Sequence, residues 1–346
     1  MSVARRPAAP PADVPAQLEL AAAAWLAPAR DRLLAGLRGG RFPHALLLTG
    51  RGGLGQEALG LWAAALALCE QPAAGPCGAC PGCVLFRAGN HPDYHPVTLE
   101  DDAAWIKVDQ VRELCRTLAM RSFRGGRQVG MISPAELMNV NAFNALLKTL
   151  EAPAESTLLI LPVLRQAPLP ATIVSRCQRL ALAAPEREEA VNWLQARAAR
   201  PDWPILLELS NGGPLAALAL AADGVGELGP ELARDLAGLG GSSFDPWRLA
   251  EAWLRDRPAE RLLWLEHWVQ RWLHEALAGG DGVNNNHGCG LPSPSAGMNT
   301  RRVLAFHDQL REARAALAGP LNAQLLLEDL LVGLGEAFAA ANRRQG

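Results

Sequence analysis

Gly50-Arg51-Gly52-Gly53-Leu54-Gly55-Gln56-Glu57 lies between the apolar run His44-Ala45-Leu46-Leu47-Leu48-Thr49 and a stretch of helical length and composition from Gln56 to Cys69. A short apolar run closed by glycines reads as a buried strand, so the segment predicts strand, loop, helix. Nucleotide-binding loops of the form G-x4-G-K-[ST] occupy this junction. Their backbone N–H groups and the helix N-terminus cradle phosphates, the Lys neutralises them, and the hydroxyl holds magnesium. Here the Gly50–Gly55 spacing is intact, but Gln56 stands at the Lys position and Glu57 at the hydroxyl position. A carboxylate beside a polyphosphate adds repulsion, on the order of several kcal/mol where solvent is scarce. Taken alone, the segment is equally readable as a glycine-rich turn unrelated to nucleotides.

Strands further along decide between these readings. A hydrolysing site would end the strand Gln128–Ile132 in an Asp-Glu pair, but Ser133-Pro134 follows it. Glu136 is close by, yet two residues on it should point elsewhere. The strand Thr157–Leu161 ends in Pro162-Val163, where a polar sensor of the γ-phosphate would stand. With three positions altered together, the sequence predicts neither hydrolysis nor bound ATP at this loop.

Outward from these motifs, strands alternate with helices. Leu18 to Leu37 reads as helix, Tyr94 to Leu99 as strand, Val108 to Met120 as helix and Ala135 to Glu151 as helix, stopped by Pro153. A short helix at Pro170 to Val174 and a last strand at Gln178 to Leu182 follow. Such alternation implies a parallel sheet covered on both faces. After about Ala184 strands give way to Leu-, Ala- and Trp-rich helix, broken near Asn211-Gly212-Gly213-Pro214 and across Gly279 to Ser295. The expected organisation is a flexible Pro- and Ala-rich tail at 1–16, an α/β domain at 17–184, a small helical domain at 185–225, and a larger helical domain at 226–346 with a mobile loop at about 279–300. Trp264, Trp268 and Trp272 recur every four residues on one helix face, a pattern of core packing.

A net charge of −2 advertises neither nucleic acid nor membrane, so any DNA contact needs a local patch. Arg121, Arg124 and Arg127 are candidates, although a solvated charged turn explains them as well. No apolar run is long enough to span a bilayer, and Arg5-Arg6 precedes Pro and Ala rather than an apolar leader, so a cytoplasmic location is expected. Four of the seven cysteines, Cys69, Cys77, Cys80 and Cys83, form C-x7-C-x2-C-x2-C with Gly78, Pro81 and Gly82 in the turns. Four thiolates satisfy tetrahedral zinc and leave no open position, which marks a structural site; a redox or free-thiol cluster is the competing reading. Cys115, Cys177 and Cys289 lie apart.

Pro43-His44-Ala45-Leu46-Leu47, Asn90-His91-Pro92-Asp93, Asn144-Ala145-Leu146-Leu147-Lys148-Thr149-Leu150-Glu151 and Ser175-Arg176-Cys177 occur in that order. The frame resembles the bacterial clamp loader of DNA polymerase III, an AAA+ family, well over about 20–215 and by position and length beyond. The resemblance implies an AAA+ sheet domain with an inserted zinc module at 69–83, a helical lid and a helical collar that joins subunits. Motor subunits of the family, gamma and tau, carry an intact loop. This chain falls on the side of the degenerate-loop subunit, whereas delta usually lacks both the cysteines and Ser-Arg-Cys. Near Gly213-Pro214-Leu215, where motor relatives place a nucleotide-sensing arginine, none is present.

What the resemblance implies is a stator without ATPase or polymerase activity of its own. It would sit in a heteropentamer with gamma/tau and delta, help load the sliding clamp onto primed DNA, and give Arg176, flanked by Ser175 and Cys177, to a neighbour's ATP. Without the resemblance, Arg176 reads as one half of a salt bridge at a domain edge, and Arg179 lies outside the motif. An active ATPase like gamma/tau, or a zinc-stabilised adaptor unrelated to replication, are the alternatives.

Overall fold

The computed structural model describes residues 13–100, 103–165, 168–239, 244–277, 300–317 and 322–338. Most of the expected tail, Cys289 and nearly all of the expected 279–300 loop lie outside these residues. The described chain divides into two compact units, Met1–Arg197 with Ser210–Ala216, and Ala198–Leu209 with Ala217–Gly346.

In the first unit the elements are α1 (Val14–Leu20), α2 (Ala27–Arg38), β1 (Ala45–Thr49), α3 (Gln56–Leu68), α4 (Pro81–Arg87), β2 (Tyr94–Val97), α5 (Val108–Leu118) and β3 (Gln128–Ile132). They continue with α6 (Val140–Glu151), β4 (Thr157–Pro162), α7 (Ala171–Val174), β5 (Gln178–Ala181) and α8 (Arg187–Gln195). The strands form one parallel sheet in the order β2-β3-β4-β1-β5. Parallel strands buried on both faces must be apolar throughout, and alternate residues then serve opposite cores. So Leu46 and Leu48 of β1 join a core with α1, α2 and α3, while Ala45 and Leu47 join another with α5 and α6.

Three expectations need correction. The tail does not run to residue 16: Asp13 accepts from the Ala16 N–H at 3.2 Å and starts α1, with Val14 buried. The helix expected over 18–37 is two helices separated by a 3-10 turn at Ala24–Leu26. Pro28 sits in the first turn of α2, where its missing N–H costs nothing, whereas mid-helix it would break the ladder. The helix expected from Ala135 begins only at Val140, because Asn139 caps it by accepting from the Ala142 N–H at 2.9 Å.

One buried carboxylate ties the sheet's first strand to the turn before β3. Asp93, fully buried, accepts from Ser122 Oγ at 2.9 Å, Phe123 N–H at 2.6 Å and Arg124 N–H at 3.1 Å. Its neighbour His91 is buried too, and its Nδ1 accepts from the Asp93 N–H at 3.1 Å. The Asn90-His91-Pro92-Asp93 string is therefore a structural joint.

The second unit contains α9 (Trp203–Leu209), α11 (Leu228–Asp235), α12 (Pro246–Arg255), α13 (Pro258–Leu277), α14 (Thr300–Ala316) and α15 (Ala323–Phe338), while α10 (Pro214–Ala222) runs across the division. Helices from the 185–225 stretch are thus distributed over both units. Trp264, Trp268 and Trp272 are all buried in α13. Trp264 packs edge-on to Trp268 at 5.5 Å and donates from Nε1 to the Val225 carbonyl, and Trp272 meets Phe338 at 5.3 Å. Buried Arg261 on the same helix is matched by Glu231, Asp235 and Asp256.

Asp93→Ala removes the acceptor of the Ser122 hydroxyl and of the Phe123 N–H, and leaves the Arg124 N–H with Ser122 Oγ alone. The expected loss is about 2–4 kcal/mol of stability, measured by urea unfolding.

Candidate functional site

The loop between β1 and α3 turns through Gly53 (φ +75°) and Gly55 (φ +98°), conformations that L side chains rarely adopt. Its interior is filled from within the same unit. Gln56, at the Lys position, is buried and donates from Nε2 to the Arg51 carbonyl at 2.6 Å. The Leu54 carbonyl accepts from Trp25 Nε1 at 2.9 Å, and the Gly53 carbonyl accepts from the Leu215 N–H at 3.0 Å. A Cβ at Gly53 would lie 2.5 Å from the Ala216 Cβ, and one at Gly213 only 2.2 Å from the Gly52 carbonyl oxygen. Residues 213–216 therefore rest directly on the loop backbone.

The altered positions also meet one another. Ser133 Oγ donates to Glu57 Oε1 at 3.1 Å, so the carboxylate has moved to the loop and the hydroxyl to the end of β3. Burial pushes the Glu57 carboxyl above the usual carboxylate range, and the Ser133 hydroxyl offsets part of that rise. Glu136 points to the chain leaving β4, where it accepts from the Leu164 N–H at 3.1 Å and the Arg165 N–H at 2.8 Å. Its carboxylate is thus engaged by backbone.

Arg176 belongs to a different end of the sheet. In the parallel register of β1 and β5, Gln178 is level with Leu46 and Ala181 with Thr49. Gly50 is thus four residues beyond the level at which β5 begins, about 13 Å along the strands. Arg176 precedes β5, at the edge opposite the glycine loop. Its guanidinium donates to Glu151 Oε1 at 2.7 Å, to the Thr172 carbonyl at 2.9 Å and to Ser175 Oγ at 3.4 Å, with 35% of the side chain exposed. Cys177 is half-buried, and burial raises its thiol pKa to about 11, which leaves it inert. Arg179, one strand position on, donates to Thr49 Oγ1 at 3.3 Å.

Cys69, Cys77, Cys80 and Cys83 converge after α3, their sulfurs all within 4.8 Å of one another. Cys80 is the N-cap of α4 and Pro81 begins the helix, so the second C-x2-C is a helix start turned toward the other two thiols. Sγ of Cys69 accepts from the Cys77 N–H at 3.2 Å, Cys77 from the Cys80 N–H at 3.3 Å, and Cys80 from the Cys83 N–H at 3.4 Å. Hydrogen bonds from the backbone at Ala79 and Cys80 bring the Cys77 thiol down to about 6, whereas burial pushes Cys69 and Cys83 up. Glu70 fastens this knuckle to its surroundings: Oε1 accepts from the Gly82 N–H at 3.2 Å and from Arg124 Nη2 at 2.6 Å.

Of the three basic residues considered for DNA, Arg124 is paired with Glu70, and Arg127 lies 5.2 Å from the Phe42 ring centroid. Sequence reasoning missed Glu70, Trp25 and Glu151 as partners. Each contact spans 25 or more residues, and no local pattern announces it. Among the described residues no single helix is long and apolar enough to cross a membrane.

A family model described as DNA polymerase III, delta subunit, matches residues 27–186. The DNA polymerase III subunit delta' of Pseudomonas aeruginosa is 38% identical over 305 residues, covering 84% of this chain and 90% of that protein. The corresponding Escherichia coli K12 protein is 34% identical over 318 residues, covering 89% and 93%. E. coli DNA polymerase III subunit tau is 34% identical over 161 residues, covering 46% of this chain and 25% of that protein.

Because Glu57 binds its proton more tightly when folded than when unfolded, its burial costs stability at high pH. The cost fades as pH falls into the ordinary carboxylate range. Glu57→Gln keeps an acceptor for Ser133 and removes the charge. It is expected to raise the urea midpoint at pH 8 and to lose that advantage near pH 4.

Proposed function

Since the chain belongs to the delta-prime family of DNA polymerase III and is a clamp-loader subunit in DNA replication, we propose that it hydrolyses no ATP itself and gives Arg176 to the ATP site of an adjacent gamma/tau subunit. The observation that carries this reading is the opposition of the two ends of the sheet. At one end Gln56 and residues 213–216 fill the glycine loop. At the other, Arg176 is part-exposed and precedes β5, whose first residue already lies four strand positions from the level of the chain's own loop. A planar, permanently charged guanidinium suits a transition-state phosphoryl group, and trans arginines accelerate such transfers by roughly 10³–10⁵-fold.

In this role the chain acts with gamma/tau and delta in a heteropentamer and reaches the sliding clamp and primer-template DNA through that assembly. The Glu57–Ser133 pair offers a magnesium-phosphate unit a half-buried carboxylate where a neutral hydroxyl is required. An ATPase like gamma/tau would need those positions restored, so the non-hydrolysing reading is favoured. In the complex with gamma/tau, delta, clamp and primed DNA, Arg176→Ala is expected to slow hydrolysis at the adjoining site by about 10³-fold or more. Unchanged single-turnover hydrolysis and clamp loading would refute the finger.

The four cysteines are proposed to hold a structural zinc. At a Zn–S bond of about 2.3 Å, the edge of a sulfur tetrahedron is about 3.8 Å. The Cys69–Cys80 and Cys77–Cys83 separations are both 3.9 Å. Bound there, the ion would crosslink the end of α3 to the start of α4, with four thiolates leaving no position for substrate. Purified protein is expected to carry one zinc per chain by elemental analysis, and Cys80→Ser to lose it together with thermal stability.

A further inference from the structure

The two most specific strings in the sequence, Asn144 to Glu151 and Ser175-Arg176-Cys177, are joined by an ion pair, Arg176 Nη2 to Glu151 Oε1 at 2.7 Å. Glu151 is the last residue of α6, and a carboxylate at a helix C-terminus opposes the helix dipole. Nothing in α6 itself favours an acid there. Its carboxylate is 55% exposed, so the pair adds little to the stability of the fold. What the pair does determine is where the guanidinium sits.

The other two anchors of Arg176, the Thr172 carbonyl and Ser175 Oγ, belong to its own short turn and move with it. The α7 helix has only four residues, and buried Ile173 fixes its backbone to the core without fixing the far end of the Arg176 side chain. Helix α6 is held in the same core by buried Phe143, Leu146 and Leu150. Among the described acceptors of the Arg176 guanidinium, Glu151 is the one on a different element, and so it sets the guanidinium's position relative to α6. A guanidinium has five N–H donors, and three are taken by these acceptors. Two remain to meet an anion while the anchors hold, so the arginine can bind phosphate without releasing Glu151.

We propose that Glu151 is a positioning residue for Arg176, holding its guanidinium ready for the triphosphate bound by a neighbouring subunit; this rests on the finger reading above. The test uses the complex reconstituted with gamma/tau, delta, clamp and primed DNA, with turnover number and KM for ATP measured separately. Glu151→Ala is expected to lower turnover several-fold with KM for ATP unchanged. Glu151→Gln, whose amide oxygen still accepts from Nη2, should recover most of it. Arg176→Ala should fall at least as far, and the Arg176→Ala/Glu151→Ala double variant no further than Arg176→Ala alone.

Normal or raised turnover in Glu151→Ala overturns the positioning role, as does a double variant well below Arg176→Ala. Equal loss in Glu151→Gln and Glu151→Ala overturns it too. If Arg176→Ala is itself normal, the finger reading fails instead. Matching thermal midpoints and equal incorporation into the complex establish that the variants fold.

Discussion

Parallel pairing of β1 between β4 and β5 is the constraint from which the rest of the first unit follows. It buries the inner strands β1, β3 and β4 on both faces, whereas the edge strand β5 exposes Gln178 and Arg179, and it sends every strand's exit to one edge and every entry to the other. The exits bring together Gly50 to Gln56 after β1, Ser133 and Glu136 after β3, and Leu164 after β4. The entries bring together Glu151 ahead of β4 and Arg176 ahead of β5. Residues far apart in sequence share an edge because topology leaves them nowhere else to be.

At the exit edge, the polar groups at and around the altered positions all have partners within the same unit. The amide of Gln56 bonds a loop carbonyl, the Glu57 carboxylate takes the Ser133 hydroxyl, and Glu136 caps the chain beyond β4. Glu57 and Ser133 satisfy each other, whereas Gln56 and Glu136 are satisfied by backbone groups of the adjoining loops. Reverting Ser133 alone would leave the half-buried Glu57 carboxylate without its hydroxyl donor.

Much of this was legible in the sequence, for identifiable reasons. Apolar runs bounded by glycine mark buried strands, and β1, β3 and β4 begin and end within a residue or so of expectation. The loop was legible because glycine spacing reflects a backbone need. The cysteine cluster was legible because ligand spacing is local. Helix starts were harder: Asn139 and Pro28 end or begin helices through one hydrogen bond or one missing N–H, which composition averages away. Least legible were pairings across the fold, such as Glu57 with Ser133 and Arg176 with Glu151. Charge at each position was visible, but the parallel register that decides which charges meet was not.

The two-ended sheet has a bearing on assembly order. Subunits that each hold a nucleotide at one edge and offer an arginine at the other join head to tail, a heterologous contact that continues until something stops it. On the proposed reading of Arg176, a chain whose glycine loop is filled by its own glutamine would give an arginine without needing one in return. Such a chain would suit a terminal position, and its presence would give the row a polarity that identical, fully functional subunits lack.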